Sequence, residues 1–294
     1  MTQLLDPKID IAFKKVFGTD PIVLISFLNA ILPLPEDGLI ETLEYMPSEQ
    51  VPVTPELKNS TVDVKCIDQQ KRRFIVEMQM NWTKYFSNRM VFNTSKAYVN
   101  QIGLGEKYDL LYPTYGVAII NDVFDKKNPD KWYHAYSICD PNDPKDKLKG
   151  FEIVLIEVPK FQAKTYEEKK LRVLWLRFLK EMQGCAVEDV PNEFHTESSM
   201  ERALELLKET SFNRVELASY EKILDNIRMD HDFRATYKEI GLEEGLEKGM
   251  EKGMEKGQLD AKKEIAKKML RRARPILEII EDTGLSEIEI LELK

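Results

Sequence analysis

The stretch TVDVKCIDQQKRRFIVEMQM, residues 61–80, decides the fold because it contains two strand-like runs around a short polar turn. The runs TVDVKCI (61–67) and RFIVEMQM (73–80) alternate apolar and polar residues, which is the pattern of a half-buried β-strand. The polar residues 68–72 between them indicate a tight connection. The sequence therefore predicts an antiparallel β-hairpin with two different faces.

Alternation along the strands assigns each side chain to one face of this hairpin. The face predicted to pack against the core carries Val62, Val64, Cys66, Phe74, Val76, Met78 and Met80. The opposite face carries Asp63, Lys65, Ile67, Arg73, Ile75, Glu77 and Gln79. The second face is the candidate functional surface because it holds two carboxylates.

Asp63 and Glu77 are predicted to lie directly opposite each other if the hairpin is centred on Gln70. Opposed residues have Cβ atoms about 4.5 to 5.5 Å apart, so the two carboxylates would repel unless a cation lies between them. Mg²⁺ binds to a few carboxylate oxygens and keeps several waters, so it would remove the conflict. The alternative is a solvated pair of acids neutralised by Lys65 and Arg73.

Further elements are expected on both sides of the hairpin. Helical spacing is predicted over 8–17, 20–33, 86–105, 171–182, 200–209 and 215–240, and β-like runs over 115–120, 132–138 and 151–158. We predict an α/β fold in which a mixed central sheet is flanked by helices, followed by an all-helical C-terminal region. The expected segments are an α/β domain (1–165), a helical region (166–240) and a tail (241–294).

The tail begins with GLEEGLEKGMEKGMEKG, residues 241–257, which repeats every four residues. Each glycine costs a helix about 1 kcal/mol relative to alanine, so this segment is predicted to be a weak helix. It is either a solvated, partly helical tether or a seam through which two copies of the chain associate.

Two short helices joined at Thr283–Gly284 are predicted at the C-terminus. They follow a basic cluster made of Lys262, Lys263, Lys267, Lys268, Arg271, Arg272 and Arg274. The cluster could hold backbone phosphates, and the helical hairpin could equally serve oligomerisation or bind a partner.

Composition restricts the class of protein further. The net charge of −8 and the pI near 5.3 mean that nucleic-acid binding requires a local basic patch. Three scattered cysteines fit a reducing compartment, and the N-terminal residues lack a signal pattern, so a cytoplasmic protein without a membrane span is expected. Patterns of other hydrolases and nucleotide-binding sites are absent, and the three histidines are isolated.

Five segments in order resemble the PD-(D/E)xK nucleases, and among these the Rpn family of recombination-promoting nucleases. They are LLDPKIDIAFKKVFG (4–18), the hairpin VDVKC…FIVEMQ (62–79), SKAYVNQIGLGEKYDLLYPTYGVAI (95–119), FEIVLIEVPKF (151–161), and the glycine-glutamate repeat followed by IAKKML (265–270). The resemblance covers nearly the whole chain and implies a restriction-endonuclease-like core.

The activity implied by this resemblance is divalent-metal-dependent cleavage of DNA. Asp63 and Glu77 match the metal-binding acids, with Mg²⁺ as the expected ion and Mn²⁺ or Ca²⁺ as alternatives. Gln79 stands where the superfamily usually has lysine, and it could orient water or a substrate oxygen.

Two further side chains are candidates for the same site. Lys65 could supply the missing positive charge or form an ordinary ion pair, and Asp10 is either a further acid or a solvated helix residue. The alternative function is a non-catalytic DNA-binding or interaction protein on a degenerate nuclease fold.

Overall fold

A mixed β-sheet is the central feature of the first part of the chain. The computed structural model describes residues 2–50, 60–162 and 170–293. Their strands are β1 (Leu43–Tyr45), β2 (Glu49–Gln50), β3 (Ser60–Thr61), β4 (Val64–Asp68), β5 (Arg73–Gln79), β6 (Thr114–Ile120), β7 (Tyr133–Cys139) and β8 (Lys147–Glu157). The six-stranded sheet has the order β1-β4-β5-β6-β8-β7, and β2 pairs with β3 separately.

The sheet is flanked by helices, and a long helix follows it. The α-helices of the described residues are α1 (Asp10–Thr19), α2 (Pro21–Ile31), α3 (Phe86–Val99), α4 (Lys170–Glu181), α5 (Ser198–Leu207), α6 (Arg214–Arg271), α7 (Ile276–Thr283) and α8 (Glu287–Leu291). The start of α2 is capped as its sequence predicts, because the Asp20 side chain accepts the N–H of Ile22 and Pro21 follows it. The predicted α/β architecture is confirmed.

The predicted register of the hairpin is also confirmed. β4 and β5 are antiparallel with Lys65 opposite Ile75, as expected for a hairpin centred on Gln70. β5 then pairs in parallel with β6, and β6 in parallel with β8, so the sheet is mixed. Edge strand β1 was not predicted, because three residues are too few to show a period.

The assignment of Val62 to the same face as Val64 is wrong. Val62 packs with Ile75 and with Ala97 of α3, on the opposite side of the sheet from that expected. The physical reason is that β4 begins only at Val64, so the alternation of side chains does not extend to the two residues before it.

Helix α3 covers the face of the sheet that carries Ile75 and Glu77. Its residues Phe86 and Met90 pack against four sheet residues, Ala118, Ile120, Ile153 and Leu155. The helix approaches closely at Gly116, where an added Cβ would lie 2.3 Å from the Thr94 hydroxyl oxygen. As a result both faces of the hairpin are buried, whereas the alternation predicted one buried face.

An aromatic core holds α1, α2 and α4 together. Phe17 lies 4.7 Å from Phe13, 4.9 Å from Phe27 and 5.6 Å from Trp175 between ring centroids. A Cβ on Gly18, near the end of α1, would lie 3.7 Å from Val64, which projects from the face opposite Ile75. These helices therefore pack on the side of the sheet away from α3.

A buried charged cluster lies at the end of β8. The Glu157 carboxylate accepts the backbone N–H groups of Phe124 and Asp125 and lies 2.9 Å from His134 Nε2 and 2.7 Å from Lys160 Nζ. Lys160 also donates to the carbonyl oxygens of Asp125, Asn128 and Lys131. Because Glu157 and Lys160 form hydrogen bonds with backbone groups of the loop that follows β6, this cluster holds that loop in place.

The chain divides into two compact units, Met1–Leu224 and Asp225–Lys294. In the second unit, Ala266, Ile279, Leu285 and Ile290 form a small core, and Gly284 joins α7 to α8 with a left-handed φ of 67°. The two short C-terminal helices are thus confirmed. The predicted segment boundary between 165 and 166 lies outside the described residues.

The glycine repeat is helical in the structure. Residues 241–257 form part of α6, a helix of 58 residues, and their side chains are exposed. Self-association through this repeat or through the C-terminal helices stays a prediction. Among the described residues, none of the helices combines the length and the apolar character that a membrane span requires.

Candidate active site

Asp63 lies immediately before β4, at the open end of the hairpin. Its Oδ2 accepts the backbone N–H of Met78 at 2.7 Å, so the carboxylate is held against β5. The ladder ends with Val64 opposite Val76, which puts Asp63 beside the next residue of β5, Glu77. The Asp63 side chain is 20% exposed, which leaves it accessible from one side.

The environment of Asp63 raises its pKa to about 6. Burial is the largest cause, and the negative charges of Asp10 and Glu77 add to it. The N–H of Met78 and the ammonium group of Lys14 act in the opposite direction. The protein groups around Asp63 therefore do not supply enough positive charge to keep the pKa of this carboxylate at its usual value.

Glu77 lies under α3 and is only 3% exposed. Its Oε1 accepts from Asn93 Nδ2 at 2.7 Å, and its Oε2 accepts from Arg89 Nη2 at 2.9 Å. Arg89 and Asn93 are four residues apart and therefore lie on the same side of α3. The helix thus fixes the position of this buried carboxylate.

Gln79 shares Arg89 with Glu77. Its Oε1 accepts from Arg89 Nη2 at 2.7 Å, and its Nε2 donates to the backbone carbonyl of Asn81 at 2.6 Å. The amide is therefore oriented at both ends. The guanidinium group of Arg89 therefore lies next to Gln79, the position at which the resemblance to PD-(D/E)xK nucleases implies a lysine.

The two further candidates from the sequence have different surroundings. Asp10 is the first residue of α1 and half-exposed, and it pairs with Lys14 at 2.8 Å, while Lys14 Nζ lies 3.7 Å from Asp63 Oδ1. Lys65 is buried in β4, and its pKa is lowered, first by burial and then by the charges of Arg73 and Lys96. Lys14 contacts both Asp10 and Asp63, so Asp10 lies near the acid pair. Lys65 lies near the cations Arg73 and Lys96 instead.

Sequence reasoning missed the contacts made by Arg89 and Asn93. Alternation along the hairpin indicates Asp63, Glu77 and Gln79, but it assigns no role to these two residues of α3. The available signal was two polar residues one helical turn apart, in the first helix after the hairpin. That spacing shows that they share a face, but only the packing of α3 shows that this face meets Glu77.

The side chains at this site suit a hard divalent cation. Mg²⁺ binds carboxylate and amide oxygens, and Asp63 and Glu77 are neighbouring carboxylates that are largely removed from water. The Oδ1 atom of Asn93 is buried and has no hydrogen-bond partner within the described residues. The described residues contain no cluster of three or more His, Cys, Asp or Glu that could bind a metal. A metal at this site would therefore be held by the acid pair and by amide oxygens.

Replacing Asp63 with asparagine is expected to stabilise the metal-free protein. The pKa of about 6 lies above the unfolded value near 3.8, so the stability that this group contributes is complete below about pH 3.8 and is lost as the pH rises to 6. At about pH 7.5, Asp63→Asn should raise the free energy of unfolding by roughly 1–3 kcal/mol, since its amide oxygen still accepts the Met78 N–H. Urea unfolding in EDTA at several pH values measures this.

The control for this prediction is Asp10→Asn, which removes a half-exposed ion pair and should change stability by less than about 1 kcal/mol. The gain for Asp63→Asn should fall to about 0.5 kcal/mol at pH 4 and vanish below about pH 3, where Asp63 is protonated in both the folded and the unfolded state. A variant less stable than the wild type at neutral pH, or a gain that does not depend on pH, would contradict the raised pKa.

Comparison with protein families identifies the chain. A model described as the PD-(D/E)XK nuclease family transposase matches residues 7–236, which is most of the chain. The chain belongs to this family. No curated protein and no solved structure gives a significant match to it.

Membership in the PD-(D/E)XK nuclease family gives the protein a nuclease- or transposase-type function. Nucleases of this family generally use divalent metals, and DNA is the substrate that the family implies. The acid pair, Gln79 and the α3 residues that contact them all lie within the matched range. The resemblance found from the sequence is therefore confirmed at the level of the family.

Proposed function

We propose that this protein is a divalent-metal-dependent DNA endonuclease that acts in recombination or on mobile DNA. The observation that carries the proposal is the neighbouring, largely buried pair Asp63 and Glu77 at the open end of the β4–β5 hairpin. Burying two carboxylates together is unfavourable unless a cation neutralises them. Burial and the negative charges of Asp10 and Glu77 raise the pKa of Asp63, so a bound cation would favour its ionised form.

Asp63 and Glu77 would hold the metal. Asn93, whose side-chain amide donates to the Glu77 carboxylate, lies beside them. Mg²⁺ is the ion proposed, with Mn²⁺ or Ca²⁺ as alternatives that suit the same oxygen atoms. When bound, such an ion supplies positive charge to the phosphate and activates water for hydrolysis. Lys14 lies 3.7 Å from Asp63, and Arg89 lies 2.9 Å from Glu77.

Arg89 is proposed to supply the positive charge that lysine supplies elsewhere in the superfamily. Its guanidinium group lies between Glu77 and Gln79, and the side chain is 50% exposed, so a phosphate can approach it from solvent. The Gln79 amide, oriented by Arg89 and by the Asn81 carbonyl, is proposed to position water or a substrate oxygen. Lys65 is the less favourable source of this charge because it is buried among other cations.

A plasmid-nicking assay tests this function. Supercoiled DNA is incubated with the full chain in EDTA, Mg²⁺, Mn²⁺ or Ca²⁺, and in parallel with Asp63→Ala and with Glu181→Ala, a control acid that forms an exposed ion pair with Arg177. The proposal expects cleavage that requires a metal, is lost in Asp63→Ala and is retained in Glu181→Ala. Cleavage by Asp63→Ala at the wild-type rate, or no cleavage with any of the three metals, would favour the alternative of a non-catalytic DNA-binding or interaction protein.

A further inference from the structure

The outer surface of α3 next to the acid pair carries exposed aromatic rings. Tyr85, which precedes the first turn, is 64% exposed, and Phe92 is 43% exposed. Burying either ring would be favourable, yet both face solvent. With Arg89 and Lys96 they follow the spacing 85, 89, 92, 96, which places all four on one side of the helix.

Each exposed ring lies close to a cation. Lys84 Nζ is 4.8 Å from the centre of the Tyr85 ring, and Lys96 Nζ is 5.7 Å from that of Phe92. Arg89 is stacked over Phe86 at 4.8 Å. In a chain with a net charge of −8, this surface therefore combines local positive charge with aromatic faces.

These rings line a cleft of about 590 Å³ that adjoins the proposed active site. Its wall is formed by α3 on one side and by β3 on the other, and the described residues that line it include no acid. Ser60 and Thr61 line it from β3, and Tyr85, Arg89 and Phe92 line it from the side of α3. Arg89 connects the cleft to Glu77 and Gln79, because the same guanidinium group contacts both.

We propose that this cleft binds single-stranded DNA by stacking unpaired bases on Tyr85 and Phe92. The inference rests on the proposed function for its choice of DNA. Aromatic side chains interleaved with cations are the arrangement by which proteins bind single strands, since every base has a face that can stack. In an intact duplex those faces are already stacked, so the exposed rings have no partner there. The cleft therefore favours single strands, frayed ends or unpaired segments.

If the proposed nuclease site is active, the position of the cleft predicts where DNA is cut. A strand that stacks on Tyr85 and Phe92 would lie beside Arg89, which lines the same cleft and contacts Glu77 and Gln79. Duplex DNA with an unpaired segment should therefore be cleaved next to that segment in preference to a fully paired region.

Fluorescence anisotropy in EDTA tests this proposal without cleavage. A labelled oligothymidine of about 12 nucleotides and a hairpin duplex of similar length are titrated with the full chain. Phe92→Leu and Tyr85→Leu remove a ring but keep an apolar side chain, and Phe92→Trp keeps a ring. Tyr108→Leu is the control, because Tyr108 is 83% exposed and lies outside the cleft.

The expected result is that each leucine variant weakens binding of the single strand by about five- to a hundredfold, while duplex binding changes less than about twofold. Phe92→Trp and Tyr108→Leu should bind like the wild type. Equal losses on both substrates, no loss, or no binding of the single strand by the wild type would overturn the proposal. Because metal is absent, selective binding together with inactivity in the nicking assay would refute the nuclease and leave the cleft assignment standing.

Discussion

Replacing Glu77 with glutamine is expected to lower the rate of DNA cleavage by at least ~100-fold while the protein remains folded. Mutating a residue that hydrogen-bonds to a metal ligand typically lowers metal affinity or activity about 10- to 100-fold, and mutating the ligand itself should lower it more. Glutamine has the size of glutamate and still offers an oxygen to Arg89 or Asn93, but it lacks the negative charge. Single-turnover cleavage of plasmid in Mg²⁺ measures the effect.

A second measurement separates loss of metal from loss of structure. Calorimetric titration with Mn²⁺ should show weaker binding to Glu77→Gln, and circular dichroism should show an unchanged fold. Glu181→Gln is the matched control, since Glu181 forms an exposed ion pair away from the site. A Glu77→Gln protein that keeps more than about a tenth of the wild-type rate would remove Glu77 from the proposed metal site.

Replacing Glu157 with alanine is expected to destabilise the protein by about 3–5 kcal/mol, because it leaves the buried ammonium group of Lys160 without its carboxylate. The same substitution leaves the N–H groups of Phe124 and Asp125 without their acceptor. Denaturation with urea measures the change in the free energy of unfolding.

Two further variants make this prediction specific. Glu181→Ala breaks an exposed pair with Arg177 and should cost less than about 1 kcal/mol. The double variant Glu157→Ala/Lys160→Met removes the uncompensated charge and should recover part of the loss. A cost for Glu157→Ala as small as that for Glu181→Ala would show that the buried cluster does not stabilise the fold.

The strands of the site could be predicted because the alternation of apolar and polar residues involves only residues that are close together in the sequence. Alternation of residues along 64–67 and 73–79, together with a short polar turn, determines which residues of the hairpin face each other, and Lys65 lies opposite Ile75 as expected. The prediction failed at Val62, where the chain leaves the strand. An alternation pattern contains no sign of where hydrogen bonding to the neighbouring strand begins.

Other parts of the structure depend on contacts between distant segments. The arrangement of Glu77 with Arg89 and Asn93 requires α3 to pack across β5, which the close approach at Gly116 permits. The meeting of Asp63 with Lys14 likewise requires the N-terminal helix to lie beside the hairpin. Neither contact follows from a periodic pattern, because each joins elements whose relative position is set by the core.

The sequence by itself determined the two strands of the hairpin and its two acids, because side-chain alternation acts between near neighbours. It predicted the register only for a hairpin centred on Gln70, and the structure confirms that register. Only the tertiary structure decided that Glu77 is buried, that Arg89 and Asn93 hold it, and that Arg89 stands beside Gln79 where a lysine is usual. The reason is that burial and electrostatic environment depend on which helix covers a face of the sheet, and in this chain that helix is α3.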